Sequence, residues 1–128
     1  MEIPQDLRFT DSHEWIRDNG DGTVDIGITA YAQEQLGDVV YWDAPEVGEN
    51  FETGDTVGTV ESVKAVSDVY TPVGGEIAAV NEALEDAAEL VNDAPYTDGW
   101  MFRVKLSDPD ELNNLMDAAA YQALVDGL

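Results

Sequence analysis

A mainly β fold, a small barrel or sandwich with short helices that include a C-terminal helical segment, is predicted by three observations. Short strand-like runs punctuated by turn residues fill the first two-thirds of the chain. In the clearest of these runs apolar residues strictly alternate with small or polar ones. After Ser107 the apolar spacing lengthens to that of a helix. The chain has 128 residues, enough for one sizeable core but short for two. One domain is therefore expected over 1–128, its β core at about 8–106 and its C-terminal helices at about 108–126.

The elements follow in order. "HEWIRDNGDGTVDIGI" places Asn19-Gly20-Asp21-Gly22 between two extended runs, a hairpin signal. In "TVDIGI" the residues Val24, Ile26 and Ile28 alternate with Thr23, Asp25 and Gly27, so one buried face is expected. Thr29 is placed to cap a short helix, "AYAQEQL", that Gly37 stops. "DVVYWD" returns to an extended pattern and "APEVGENFETGD" is rich in turn residues. "TVGTVESV" and "SDVYTPVGGEIAAV" then read as a pair of strands flanking Lys64. "NEALEDAAELVNDAPYTDG" fits either a frayed helix or a loop. "WMFRVKL" is a last strand, with Trp100, Phe102, Val104 and Leu106 on one face and Arg103 and Lys105 on the other. Asp108-Pro109-Asp110-Glu111 supplies an N-cap, a proline at the first helical position and the glutamate of a capping box, and Leu112, Leu115 and Met116 make a helical stripe. A second short helix, "AAAYQALVDG", starts after Asp117 and ends near Gly127.

Charge and composition exclude several classes of function. Twenty-eight acids against five bases give a formal net charge of −23, which leaves nothing to neutralise phosphates and disfavours nucleic acid and anionic membranes alike. With 44% hydrophobic residues the chain nevertheless has material for a core. The acid excess reads as adaptation to a high-salt cytoplasm, because salt screens the self-repulsion of a compact acidic protein. The corresponding expectation is a rise in folded content and melting temperature from low to molar salt. Circular dichroism that stays constant across that range would count against it. There is no cysteine, hence no disulfide framework and no thiol chemistry from the chain itself. "MEIPQDLRFT" has neither the apolar core of a secretory signal nor the basic pattern of a transit peptide, and no run approaches membrane-spanning length, so a soluble cytoplasmic protein is expected. His13 has no cysteine or histidine companion, and no Asp-x-Asp-x-Asp-Gly loop with a closing glutamate occurs, so no metal site is expected. Trp15, Trp42 and Trp100 read as core or cleft wall.

Lys64 stands out because it is one of only two lysines and sits in "SVKAV", between strands, with no Gly, Pro or Asn from Ser62 to Val66. Three readings are open. The segment is one uninterrupted strand, or a hairpin on a type I turn, or a tip whose sequence is constrained by recognition from outside. An ammonium with a pKa near 10.4 is a poor nucleophile, and Glu61 and Asp68 favour its charged form further. That disfavours a Schiff-base enzyme and leaves a modification site as the better functional reading.

"ESVKAVSDVYTPVGGEI" resembles the lipoylation segment of the glycine cleavage system H proteins. "SHEW", "IGITAYAQEQLGDVVYWDAPEVGE", "NEALEDAAELVN" and "PYTDGWMFRVKLSDPDEL" resemble further family segments in the same order, so the likeness runs from about Phe9 to Gly127. It departs from the family's usual residues at Gly74, Ala88 and Ala94, away from the lysine. The resemblance implies a lipoyl-type β domain that is a carrier and no enzyme, with (R)-lipoate in amide linkage on Lys64. The arm takes an aminomethyl group from a pyridoxal-phosphate glycine decarboxylase and presents it to a tetrahydrofolate-dependent aminomethyltransferase. An FAD-containing dihydrolipoamide dehydrogenase then reoxidises the dithiol. A lipoate-attaching enzyme is a further partner, with Glu61 as its recognition residue, and a monomer is expected. Ser12, Glu14 and Asp68 match positions lining the cleft where the loaded arm rests, and suit a cationic amine. Two rivals remain. One is a relay protein of the same family that donates lipoate to other proteins. The other is an unmodified β-sandwich interaction module. Biotin carriers and the lipoyl domains of 2-oxoacid dehydrogenases fit less well, since Val63 and Ala65 flank the lysine and the chain ends in its own helices.

Overall fold

The computed structural model describes residues 3–128, so the first two residues of the expected 1–128 domain lie outside the described ones. Nine strands form two antiparallel sheets among the described residues. The larger has the order β1 (Arg8–Phe9), β2 (Glu14–Asp18), β3 (Thr23–Ile28), β9 (Phe102–Leu106), β8 (Gly75–Val80) and β5 (Asn50–Phe51). The smaller has the order β4 (Val39–Asp43), β6 (Thr56–Ser62) and β7 (Val66–Tyr70). The two sheets remain open and separate, so the fold is the sandwich and not the barrel of the expectation.

The main core lies between the sheets. Val24, Ile26, Ile77, Phe102 and Val104 of the larger meet Trp42, Val57, Val60 and Val69 of the smaller, and all are buried. A second core covers the outer face of the larger sheet, where Phe9, Trp15, Tyr96, Ala118 and Tyr121 pack together. The Phe9 and Tyr121 rings stack with centroids 4.7 Å apart. β3 is therefore buried on both faces, a correction to the single buried face read from its alternation. Asp25 looked solvent-facing, yet its carboxylate accepts from Arg103 Nε at 2.6 Å and Asn19 Nδ2 at 3.2 Å beneath that second layer. Gly27 lies under the Trp15 indole.

Local signals place the helices. α1 (Ala30–Leu36) begins where the Thr29 hydroxyl accepts from Ala32 N and ends at Gly37, whose φ is +78°. The acidic stretch after β8 resolves into two single turns, α2 (Ala83–Asp86) and α3 (Leu90–Asp93). α4 (Ala118–Asp126) is capped by the Asp117 carboxylate, which accepts from Ala120 N at 2.8 Å. Asp117→Ala should cost roughly 1 kcal/mol in a urea melt, and no change would show that packing of Tyr121 alone holds the helix.

Four further expectations need correction. "SDVYTPVGGEIAAV" is two strands in different sheets, because Thr71–Gly74 carries the chain across between β7 and β8. β9 starts at Phe102, so Trp100 leaves its apolar face and lies instead under Arg103, whose guanidinium carbon is 5.1 Å from the ring. Pro109–Asn114 is a 3-10 turn and not an α-helix, so Met116 departs from the stripe and its backbone pairs with that of Phe9. Glu111 makes no capping box: its carboxylate accepts from Gly74 N at 3.1 Å and from the Thr53 hydroxyl.

Candidate functional site

Lys64 sits at the tip of the β6–β7 hairpin, in which Glu61 pairs with Val66 and Val60 with Ser67. That rules out an uninterrupted strand. The turn needs no glycine because Ser62 closes it. Its backbone N donates to Ala65 O at 2.8 Å, and its hydroxyl accepts from Lys64 N at 3.2 Å and Ala65 N at 3.1 Å. A serine side chain thus takes the acceptor role that a turn carbonyl ordinarily fills. The tip is anchored once more where Val63 N donates to Asp38 O at 3.0 Å.

The Lys64 side chain leans on the end of α1. A methyl group built on Gly37 would lie 3.3 Å from Lys64 Cε, so a glycine here both permits the positive φ and leaves room for the stem. Asn92 holds this corner in place. Its amide donates to Gly37 O at 2.9 Å and Gln33 Oε1 at 2.8 Å, and its carbonyl accepts from Val39 N at 2.8 Å. Lys64 makes no ion pair among the described residues.

Leu36, next to Gly37, opens onto a cavity of about 180 Å³ between α1 and the β6–β7 hairpin. Ile28, Leu36, Val60 and Val69 give it apolar walls, and Ser12, Glu14 and Asp68 contribute polar groups. Glu14 is 3% exposed, and its Oε1 accepts from Ser12 Oγ at 2.6 Å and Thr10 Oγ1 at 2.8 Å. Burial pushes its carboxyl up to about 7, against the pull of the Ser12 and Thr10 hydroxyls. A second cavity of about 450 Å³ reaches Ser12 and Glu14 from the other side, past Thr53, Tyr70 and Asn114.

The model of the glycine cleavage H-protein family matches residues 7–127. The chain belongs to the glycine cleavage H-protein family. The glycine cleavage system H protein of Chromohalobacter salexigens is 61% identical, over 96% of this chain and 94% of that one. That of Vibrio parahaemolyticus is 58% identical, over 94% of this chain and 95% of that one. The crystal structure of the Mycobacterium marinum H protein superposes with a TM-score of 0.88 at 39% identity, covering 98% of this chain and all of that one. H proteins are the lipoyl-carrying subunit of the glycine cleavage system, so the enzymes of that system are the partners. No helix among the described residues is long and apolar enough to cross a membrane.

Within this H-protein fold, Ser12 from the β1–β2 turn, Glu14 from β2 and Asp68 from β7 line one cavity, although 56 positions separate Ser12 from Asp68 in sequence. Glu61 stands apart, exposed on β6 with Tyr41 and Val66 as its cross-strand neighbours. None of the three tryptophans borders the cavity: Trp15 and Trp42 are core, and Trp100 is half-buried under Arg103. Residues that sequence reasoning passed over include Ser62, Thr10, Asn92 and the α1 wall, Tyr31, Gln35 and Leu36. "AYAQEQL" gave a helix but no hint of which face would meet a cavity. Asn92 lies in the stretch whose structure was ambiguous.

Proposed function

We propose that this chain is the aminomethyl carrier of the glycine cleavage system, with lipoate in amide linkage on Lys64. The observation that carries the reading is an exposed lysine whose stem packs on Gly37 at the end of α1, while Leu36 of the same helix lines an apolar-walled cavity that also holds a buried carboxyl. These residues suit the group: aliphatic walls fit an acyl chain, and a carboxyl with a hydroxyl at its side fits a small amine. When attached, lipoate supplies a redox-active disulfide and the thiol on which a one-carbon amine travels.

The chain's own residues bind, orient and shield. Ser62 keeps the tip compact, so Lys64 projects from a fixed base. Linking the arm covalently gives each partner a high effective concentration of it. Leu36, Val60 and Val69 exclude water from the arm at rest. Glu14 accepts a hydrogen bond from an ammonium and neutralises it, with Oε1 held by Ser12 and Thr10. An ammonium at Glu14 favours the ionised carboxylate, so a carboxyl poised near neutrality gives up its proton as the cation arrives. Asp68 adds a second carboxylate at the rim.

In this reading the chain is a substrate-shuttling subunit and catalyses none of the steps. Its partners are the pyridoxal-phosphate glycine decarboxylase, the tetrahydrofolate-dependent aminomethyltransferase and the FAD-containing dihydrolipoamide dehydrogenase. A lipoate-attaching enzyme reads Glu61, three residues before the lysine. It works in the cytoplasm as a monomer, without nucleic acid or membrane, in keeping with the charge of −23. Residues 1–128 form one carrier domain, supported by β2 lending Ile16 to the main core and Trp15 to the second. The test is the intact mass of the protein from its native host, with fragment sequencing across residues 58–77. One lipoyl adduct confined to Lys64 and absent from Lys105 is expected. An unmodified Lys64 in cells that lipoylate other proteins would overturn the reading.

A further inference from the structure

The turn that carries Ser12 and Glu14 contains the only non-glycine residue with positive φ among the described residues, His13 at +69°. Its hydrogen bonds define the turn: His13 N donates to Thr10 O at 3.2 Å, and Thr10 N to Glu14 O at 3.0 Å. A short hairpin loop of this kind places its last residue in the left-handed region, where glycine is the least strained choice. An imidazole at such a position calls for a reason, and backbone outliers of this sort cluster at functional sites.

The ring and backbone of His13 join three elements. Nδ1 is 2.8 Å from the Tyr121 hydroxyl of α4, and that hydroxyl is 2.7 Å from Thr29 Oγ1, the N-cap of α1. The ring packs on Tyr31 of α1 with centroids 4.6 Å apart, and the His13 carbonyl accepts from Thr29 N at 3.0 Å. Thus the same residue fastens the loop bearing Ser12 and Glu14, the first turn of the helix that forms the opposite cavity wall, and the C-terminal helix behind both. His13 itself borders the cavity.

We infer that His13 is a positioning residue of the arm cavity: its left-handed backbone turns Ser12 and Glu14 together, and its imidazole locks them at a set distance from α1 through Tyr31, Thr29 and Tyr121. The ring makes no proton transfer. It acts through Glu14, and the inference rests on the reading of this cavity as the resting place of the loaded arm. Without the ring, the loop retains its turn and its backbone bond to Thr29, but it loses the side-chain ties to Tyr31 and Tyr121, and water gains access to the carboxyl. α4 becomes part of the functional apparatus in this account, since Tyr121 is the post to which both His13 and Thr29 are tied.

The test uses the full chain with His13→Gly, which keeps the left-handed backbone and deletes the ring, and His13→Asn, which tolerates that backbone and retains a polar side chain. Glu14→Gln is the comparison. The first readout is the titration of the Glu14 carboxyl by 13C NMR in the protein without its arm. The second, after lipoylation to completion by intact mass, is the rate at which the loaded arm loses its amine to water. His13→Gly should move the Glu14 midpoint down by about one pH unit towards ordinary carboxylates, as its site becomes wetter. It should speed amine loss about fivefold with little change in melting temperature, and His13→Asn should fall between it and the wild type. If His13→Gly fails to fold, the intermediate shift in His13→Asn carries the test, and its absence overturns the proposal. A wild-type midpoint and wild-type amine lifetime in His13→Gly, with Glu14→Gln shortening that lifetime, would sink the role of His13 alone. If Glu14→Gln also leaves the lifetime unchanged, the cavity reading itself fails and this inference with it.

Discussion

Lys64→Arg should abolish lipoylation and reduce glycine cleavage to background while leaving the fold and melting temperature at wild-type values. Amide formation needs an amine whose proton can be removed. A lysine with a pKa near 10.4 can be deprotonated within an enzyme's active site, whereas a guanidinium above about 12 stays charged and has no lone pair to offer. The structural cost of the change is small for identifiable reasons. Turn closure depends on the Ser62 hydroxyl and on backbone groups, none of them contributed by the Lys64 side chain beyond its Cα. The side chain is exposed at the tip and makes no ion pair among the described residues, so exchanging one cation for another removes no partner. Lys105 cannot take over. It lies within β9, paired with Thr23 and Glu76, on a regular strand that offers no protruding tip to an attaching enzyme. Intact mass and a reconstituted cleavage assay read the two halves of this prediction. Residual adduct on the variant, or full activity without one, would refute it.

The same hairpin shows what could be read in the chain and what could not. Lys64 was conspicuous because the residues around it carry no ordinary turn signal, and the strands either side have the right composition. Ser62 was not, since a serine two residues before a lysine is unremarkable until its hydroxyl is seen receiving two backbone N–H groups. Caps were legible for a related reason. Thr29 and Asp108 act on atoms three and two residues away, so the whole interaction lies within a short window of sequence. Glu111 satisfied the same local pattern as a capping box, yet its carboxylate is spent on Gly74 and Thr53, and nothing local discloses a competitor 37 residues distant. The second buried face of β3 was hidden similarly. Asp25 reads as solvent-facing until Arg103 arrives from a strand near the other end of the chain. For the cavity, resemblance supplied the polar residues, Ser12, Glu14 and Asp68. The apolar walls come from β3, α1, β6 and β7, and their meeting is a product of the fold alone.

Glu14→Gln should make the protein more stable above neutral pH and less able to hold its cargo. The Glu14 carboxyl is raised to about 7 in the folded chain from an ordinary value of 4.5, chiefly by burial. A raised acid binds its proton more tightly when folded, so protonation favours folding below about 4.5, and this contribution fades as pH climbs through 7. Above 7 the wild type therefore keeps a charge in a site that penalises it. A gap of this size corresponds to roughly 3 kcal/mol at pH 8, or on the order of 10 °C in melting temperature. Glutamine has the shape of the acid and no charge, and its Oε1 can accept the same hydroxyls from Ser12 and Thr10. Urea melts from pH 4.5 to 8.5 should then show the two proteins equal at the acid end and diverging through neutrality, with the variant the more stable. A constant difference across that range, or a less stable variant at pH 8, would contradict the account. A buried glutamate that weakens the resting fold implies that its charge is used at some stage. An ammonium entering the cavity is the partner that makes it favourable, because a buried carboxylate with a bound cation no longer bears the full desolvation cost. The wild type should accordingly regain stability on loading of the arm with an amine, and Glu14→Gln should not.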